Sequence, residues 1–197
     1  MRLVKCEHLK DEKRYEEAIR LLEEGVGLAV QKEERGTANR FRQELLSLYK
    51  VQKNKDKLLE INKVLFSEGV DQIVCYASIK KLTPPLAWPV VLTWVLDQLT
   101  KRGTYGSQDL QASILVEHAM WEALWAHCQK VGVLFVHKYE TYLRPRFGEA
   151  VLAYYHLYVQ QQATLSDRGA YRRVADTLNW MIAFDGGPAL VRELVVH

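Results

Sequence analysis

The spacing of apolar residues between Lys138 and Phe184 constrains this chain most. Ala150, Ala153, Tyr154, Leu157, Tyr158 and Gln161 recur at helical intervals, and Tyr171, Val174, Ala175, Leu178 and Ile182 repeat the pattern. Each set lies on one face of a 3.6-residue helix. Between them, Ser166 and Asp167 are suited to cap the second helix by accepting its first backbone N–H groups. Pro145 is expected just before the first helix, and Asp185-Gly186-Gly187-Pro188 stops the second. Helices joined by so short a turn pack antiparallel, and a lone pair leaves both apolar stripes half-covered. Neighbouring hairpins are therefore required.

The rest of the chain supplies them. A first helix is expected over 10–34, with Tyr15, Ala18, Ile19, Leu22, Val26 and Ala29 inward. Gly25 and Gly27 inside it mark a close crossing or a break. Arg35-Gly36-Thr37 and Asn54-Lys55-Asp56 read as turns around a helix at 38–53, and further helices are expected after 56 and at 71–82. Thr83-Pro84-Pro85 interrupts the chain, with Thr83 placed to cap the next helix. Residues 86–101 form that apolar helix, which tolerates Pro89 because it falls in the first turn. After a loop at 102–107, one long helix is expected from Asp109 to Lys130, burying Ile114, Leu115, His118, Trp121, Leu124, Trp125 and Cys128. Another lies at 133–143, and a short one at 188–196. The reading is all-α: a single domain over 1–197 built as an array of about eight to ten helices in antiparallel hairpins. A charged block, 1–82, and an apolar block, 83–197, divide it. RYEEAIRLLEEG at 14–25 resembles a tetratricopeptide first helix, so the architecture is expected to be TPR-like.

Composition narrows the function. Net charge is +3 with 27 basic and 24 acidic residues, which gives no support for a nucleic-acid or membrane-surface footprint. All five tryptophans lie in the second block. Three cysteines, Cys6, Cys75 and Cys128, are odd in number and widely separated, as expected in a reducing compartment. No apolar run reaches the roughly 18 residues of a membrane span, and the N-terminus lacks a signal-peptide core. A cytoplasmic location and no membrane partner are expected.

Arg144-Pro145, Ala150, Tyr154 and Tyr158, then Arg168, Tyr171, Ala175 and Leu178, together resemble the helical C-terminal region of bacterial proteins that carry a SWIM zinc finger. The motif pair is P-x-x-A-x-x-x-Y, then R-x-x-Y-x-x-A-x-x-L. The resemblance implies a helical-repeat segment from a fragment or a finger-less relative. A SWIM finger needs C-x-C and then C-x-H to close a tetrahedral zinc site. Here only Cys6-Glu7-His8 has the second shape, so the finger's binding role does not carry over.

Candidate sites are few. Cys6 and His8 supply two ligands, short of a zinc site. His118 and Glu122, four apart, are expected on one helix face as an ordinary side-chain pair, with His127 on the opposite face. Trp88, Trp94, Trp121, Trp125 and Trp180 could line a peptide groove, though their spacing is that of core residues. No nucleophile is assembled with a base. Arg144, Arg146, Arg168, Arg172 and Arg173 are the candidate binding residues, expected to gather at one end of the last hairpin as an anion pocket. No catalytic residue, metal or cofactor is expected. The chain reads as a non-enzymatic module that binds a protein or peptide. The alternatives are a nucleic-acid-associated accessory protein using the Arg cluster and an enzyme with a His/carboxylate site near His118.

Overall fold

The computed structural model describes residues 2–163 and 168–196. Among them the chain is all-α, with twelve α-helices, one short 3-10 turn and no strand. It divides into two compact units, residues 1–107 and 108–197. The first contains α1 (Arg2–Asp11), α2 (Tyr15–Gln31), α3 (Arg35–Val51), α4 (Lys55–Glu68), α5 (Gln72–Leu82), the 3-10 turn Pro85–Ala87 and α6 (Trp88–Arg102). The unit boundary falls within α7 (Tyr105–Glu117). The second contains α8 (Trp121–Val131), α9 (Val133–Lys138), α10 (Glu140–Ala163), α11 (Arg168–Ile182) and α12 (Gly187–Val196).

Packing in each unit runs between successive helices. From α1 to α5 each helix packs on the next, and α4 also meets α6. In the second unit α8 to α12 do likewise, with α10 touching both α8 and α12. Leu22, Leu48, Leu65, Phe66, Ile79 and Leu99 fill the core of the first unit, and Ile114, Leu124, Leu143, Tyr155 and Met181 that of the second, all essentially inaccessible. Burying each such side chain contributes about 1.5–3 kcal/mol.

The turns explain why there are more helices than the spacing of glycines suggests. Lys13, Glu33 and Lys53, twenty residues apart, all adopt left-handed backbone with φ of 60°, 58° and 55°. Around each, two hydrogen bonds close the preceding helix. Arg14, Glu34 and Asn54 donate their N–H to the carbonyls of Leu9, Ala29 and Tyr49 at 2.8, 2.8 and 3.0 Å. The N–H groups of Lys13, Glu33 and Lys53 reach back to Lys10, Val30 and Lys50. This is the Schellman closure, which normally recruits glycine. Ala119, with φ 52°, repeats it: Met120 donates to Leu115 at 2.9 Å. Buried residues keep the same period, with Leu9, Ala29 and Tyr49 before the turns and Ala18, Ala38 and Leu58 after them.

Several expectations are corrected by this. The helix at 10–34 is two helices, split at Lys13, and the segment before it is itself helical. Gly36 and Lys55 lie inside α3 and α4 rather than in turns. The long helix at 109–130 breaks at Ala119; of its expected buried side, Ile114, Leu115, Leu124 and Cys128 are buried, while His118, Trp121 and Trp125 are half-buried. Thr83 bonds backwards to the Ile79 carbonyl at 2.7 Å instead of capping forwards. Pro89 does sit in the first turn of α6. Gly25 is a close crossing, since a Cβ there would lie 3.0 Å from the Phe41 ring of α3, whereas Gly27 faces open space.

The last hairpin is rotated relative to its sequence stripes. In α10 the buried side is Val151, Leu152, Tyr155 and Val159, while Ala150, Ala153 and Leu157 are exposed. In α11 it is Ala170, Thr177 and Met181, while Tyr171 and Ile182 are exposed. Pro145 lies inside α10 rather than before it. The Ser166-Asp167 cap lies outside the described residues.

The left-handed turn residues carry strain that glycine would relieve. Lys53 is exposed. Lys53→Gly is expected to raise stability by about 0.5–1 kcal/mol, net of the greater freedom of glycine in the unfolded chain. Urea denaturation of the two proteins measures this, and a lower midpoint for the variant would contradict it.

Candidate functional site

Within the second unit, α10 is interrupted part-way along its length. Pro145 has no N–H to give the helix, and its ring clashes with the preceding turn. The helix bends there, and Phe147 takes non-helical angles of φ −126°, ψ 24°. A pocket of about 580 Å³ opens at the bend, lined by Arg144, Arg146, Phe147, Leu152, Phe184 and Asp185 among others.

Aromatic side chains hold both arginines at this pocket. The Arg144 guanidinium lies 4.5 Å over the Phe184 ring and donates to the Ala183 carbonyl. The Arg146 guanidinium lies 4.2 Å over Trp121, the first residue of α8. Phe147 stacks on Trp125, with centroids 6.1 Å apart and planes at 15°, and Tyr154 meets the same indole edge-on. Stacking uses the planar faces of the guanidiniums and leaves their N–H edges for hydrogen bonds.

Behind Arg144 lies a polar network. Glu140 is 4.0 Å from Arg144, accepts a 2.9 Å hydrogen bond from the Tyr155 hydroxyl and lies 3.3 Å from His137 Nδ1. The His137 ring stacks on Trp180 at 3.9 Å, nearly parallel. Burial, with the Glu140 carboxylate beside it, pushes the Tyr155 phenol well above its ordinary pKa, so it stays a donor. The network ties α9, α10 and α11 together and sets where Arg144 can reach.

The five candidate arginines do not share one end of the hairpin. Arg144 sits beside the C-terminal end of α11, at Ala183. Arg173, in the second turn of α11, bonds Gln162 at the far end of α10 at 3.1 Å. Arg172 is exposed next to it, and Arg168 opens α11 with its side chain outside the described residues. Antiparallel packing separates the two groups by most of the length of α10. Arg144 and Arg146 form a pocket, and Arg172 and Arg173 do not join them.

The other candidates are dispersed. Cys6 is buried in α1, while His8 points outward to Glu12 at 3.2 Å. His118 lies in the turn before α8 and Glu122 within α8, so they do not share a helix. Among the described residues no three metal-ligating side chains cluster. Burial raises the cysteine thiols, Cys75 to about 11 and Cys128 to about 12, which leaves little thiolate at neutral pH. Trp88 packs on Tyr76 and Trp94 on Phe66 in the first unit. The other three tryptophans belong to the second, where Trp121 and Trp125 back the bend of α10. No described helix is long and apolar enough to cross a membrane. Comparison with family models, curated proteins and solved structures gave no match.

His127 reports on the packing of this unit. Its Nε2 lies 2.9 Å from the Gln108 carbonyl, and burial holds the imidazole below its ordinary pKa of 6.5, against the pull of that hydrogen bond. The unfolded chain then binds the proton more readily than the folded one. The stability from neutral His127 is present above the ordinary pKa and is lost as pH falls through it. Urea midpoints are expected to drop between about pH 7.5 and pH 5.5, and His127→Gln is expected to shrink that drop; an unchanged drop would assign it to other groups.

Proposed function

We propose that the chain is a non-enzymatic helical-repeat module that holds a protein or peptide partner along α11 and the bend of α10. The exposed flank of α11 carries the reading. Tyr171 and Ile182 are 66% and 50% exposed, with Val174 and Leu178 half-buried between them. These residues recur at helical spacing and form one apolar stripe. Met181, Ala170 and Thr177 supply the inner face, and Val174 and Leu178 bridge from it to Tyr171 and Ile182, which stay exposed. An apolar stripe rimmed by charge is the surface that an amphipathic helix or extended segment covers in recognition.

Other features support this reading. The thiols are buried, and the histidines and carboxylates sit in packing or surface pairs rather than around a nucleophile. The proposed kinship with the helical region of SWIM-finger proteins rests on Arg144, Pro145, Ala150, Tyr154, Tyr158, Arg168, Tyr171, Ala175 and Leu178. It is consistent with a module that works beside other domains.

The test is affinity capture of the intact chain from lysate, with and without nuclease, beside a Tyr171→Asp/Ile182→Asp variant. Both sites are exposed, so the variant should keep the helical circular dichroism of the parent. A protein partner that resists nuclease and is depleted about tenfold or more by the variant is expected, because an apolar anchor at an interface contributes at least about 1.4 kcal/mol. Equal capture by parent and variant, or loss on nuclease treatment, would refute the reading.

A further inference from the structure

The pocket at the bend of α10 holds two cations that a regular helix would keep apart. Residues two positions apart on an α-helix point in nearly opposite directions. Arg144 and Arg146 nevertheless line one pocket, because Pro145 and the non-helical Phe147 break the helix around them. Two guanidiniums at one cavity repel each other unless anions answer them, and among the described residues Glu149 and Asp185 line this cavity without an ion pair to either within 4.0 Å. Glu140 answers Arg144 only at 4.0 Å, and among the described residues Arg146 makes no ion pair. Both guanidiniums already pack over rings. Little side-chain entropy remains to be lost when a ligand arrives.

We propose that this pocket receives the carboxylate of an Asp or Glu side chain on the peptide partner, which rests on the module reading above. The N–H edges of Arg144 and Arg146 bind the carboxylate oxygens, and Phe147 and Leu152 meet an apolar neighbour of the acidic residue. The rim selects against larger anions. Glu149 and Asp185 also line the pocket. Their charge opposes a run of phosphates more strongly than a single carboxylate. The apolar stripe of α11 ends at Ile182, directly before Ala183, Phe184 and Asp185 at the mouth of the pocket. A peptide lying on that stripe therefore arrives with its acidic residue at the arginines.

The experiment uses the intact chain labelled with nitrogen-15. The side-chain Nε–H signals of Arg144 and Arg146 are assigned with Arg144→Lys and Arg146→Lys. Acetyl-Leu-Glu-Leu-amide and its Gln counterpart are titrated, with an oligo-dT of about twelve nucleotides as a polyanion. The expected result is saturable movement of both signals with the Glu peptide and about tenfold or weaker affinity for the Gln peptide. Arg146→Met, which keeps its aliphatic stem over Trp121, should weaken the Glu peptide similarly, while Arg172→Met should not. If Arg146→Met fails to fold, the Glu/Gln comparison on the unaltered chain decides. Equal affinity for the two peptides would overturn the carboxylate assignment and leave the module reading to the capture experiment. No movement with either peptide would overturn it as well. Tighter binding of the oligo-dT through the same signals would overturn it in favour of a nucleic-acid partner.

Discussion

A three-residue turn sets the geometry of much of this chain. Each copy places one non-glycine residue in the left-handed region, so that two backbone N–H groups fold back onto the last carbonyls of the preceding helix. The residue after it is the N-cap of the next helix, which begins one residue later. A turn this tight leaves no length for a crossover, so successive helices lie antiparallel and bury their stripes on each other. The left-handed backbone at Lys13, Glu33 and Lys53 costs free energy, which the burial of Leu9, Ala29 and Tyr49 beside the turns offsets.

Helical periodicity is legible throughout the sequence, and so is the all-α class. The Schellman turns are not, because their usual signal is glycine and here it is lysine, glutamate or alanine. Spacing alone therefore merges helices across Lys13 and Ala119. In the last hairpin the sequence carries the period but not the phase. Ala150, Ala153 and Leu157 make as good a stripe as Val151, Tyr155 and Val159, and the choice between them is made by Tyr155 meeting Trp180 and Phe184. Such a contact, between residues far apart in sequence, leaves no trace in local spacing.

The arginines show the same division. Residue type alone marks Arg144 and Arg146 as side chains able to face an anion. It does not reveal their neighbours, because the packing of α11 on α10 places Arg173 beside Gln162 and Arg144 beside Ala183, at opposite ends of the pair. Pro145 looks like a boundary in the sequence and is a bend within α10 in the structure. That bend is what gives the two nearby arginines a common pocket. A local rule is broken there, without any evident gain in stability, and breaks of that kind tend to be kept where a chain has work to do.

The packing of each helix mainly on its chain neighbours has a kinetic consequence. Contacts that are close in sequence close small loops, so folding is fast and can begin at any well-formed hairpin. The same locality weakens the ends. Helix α1, held mainly by α2 with one ion pair from Lys10 to Glu44 of α3, can detach by giving up few contacts while the helices beyond it stay folded. Helices with few such contacts open before the well-packed hairpins separate.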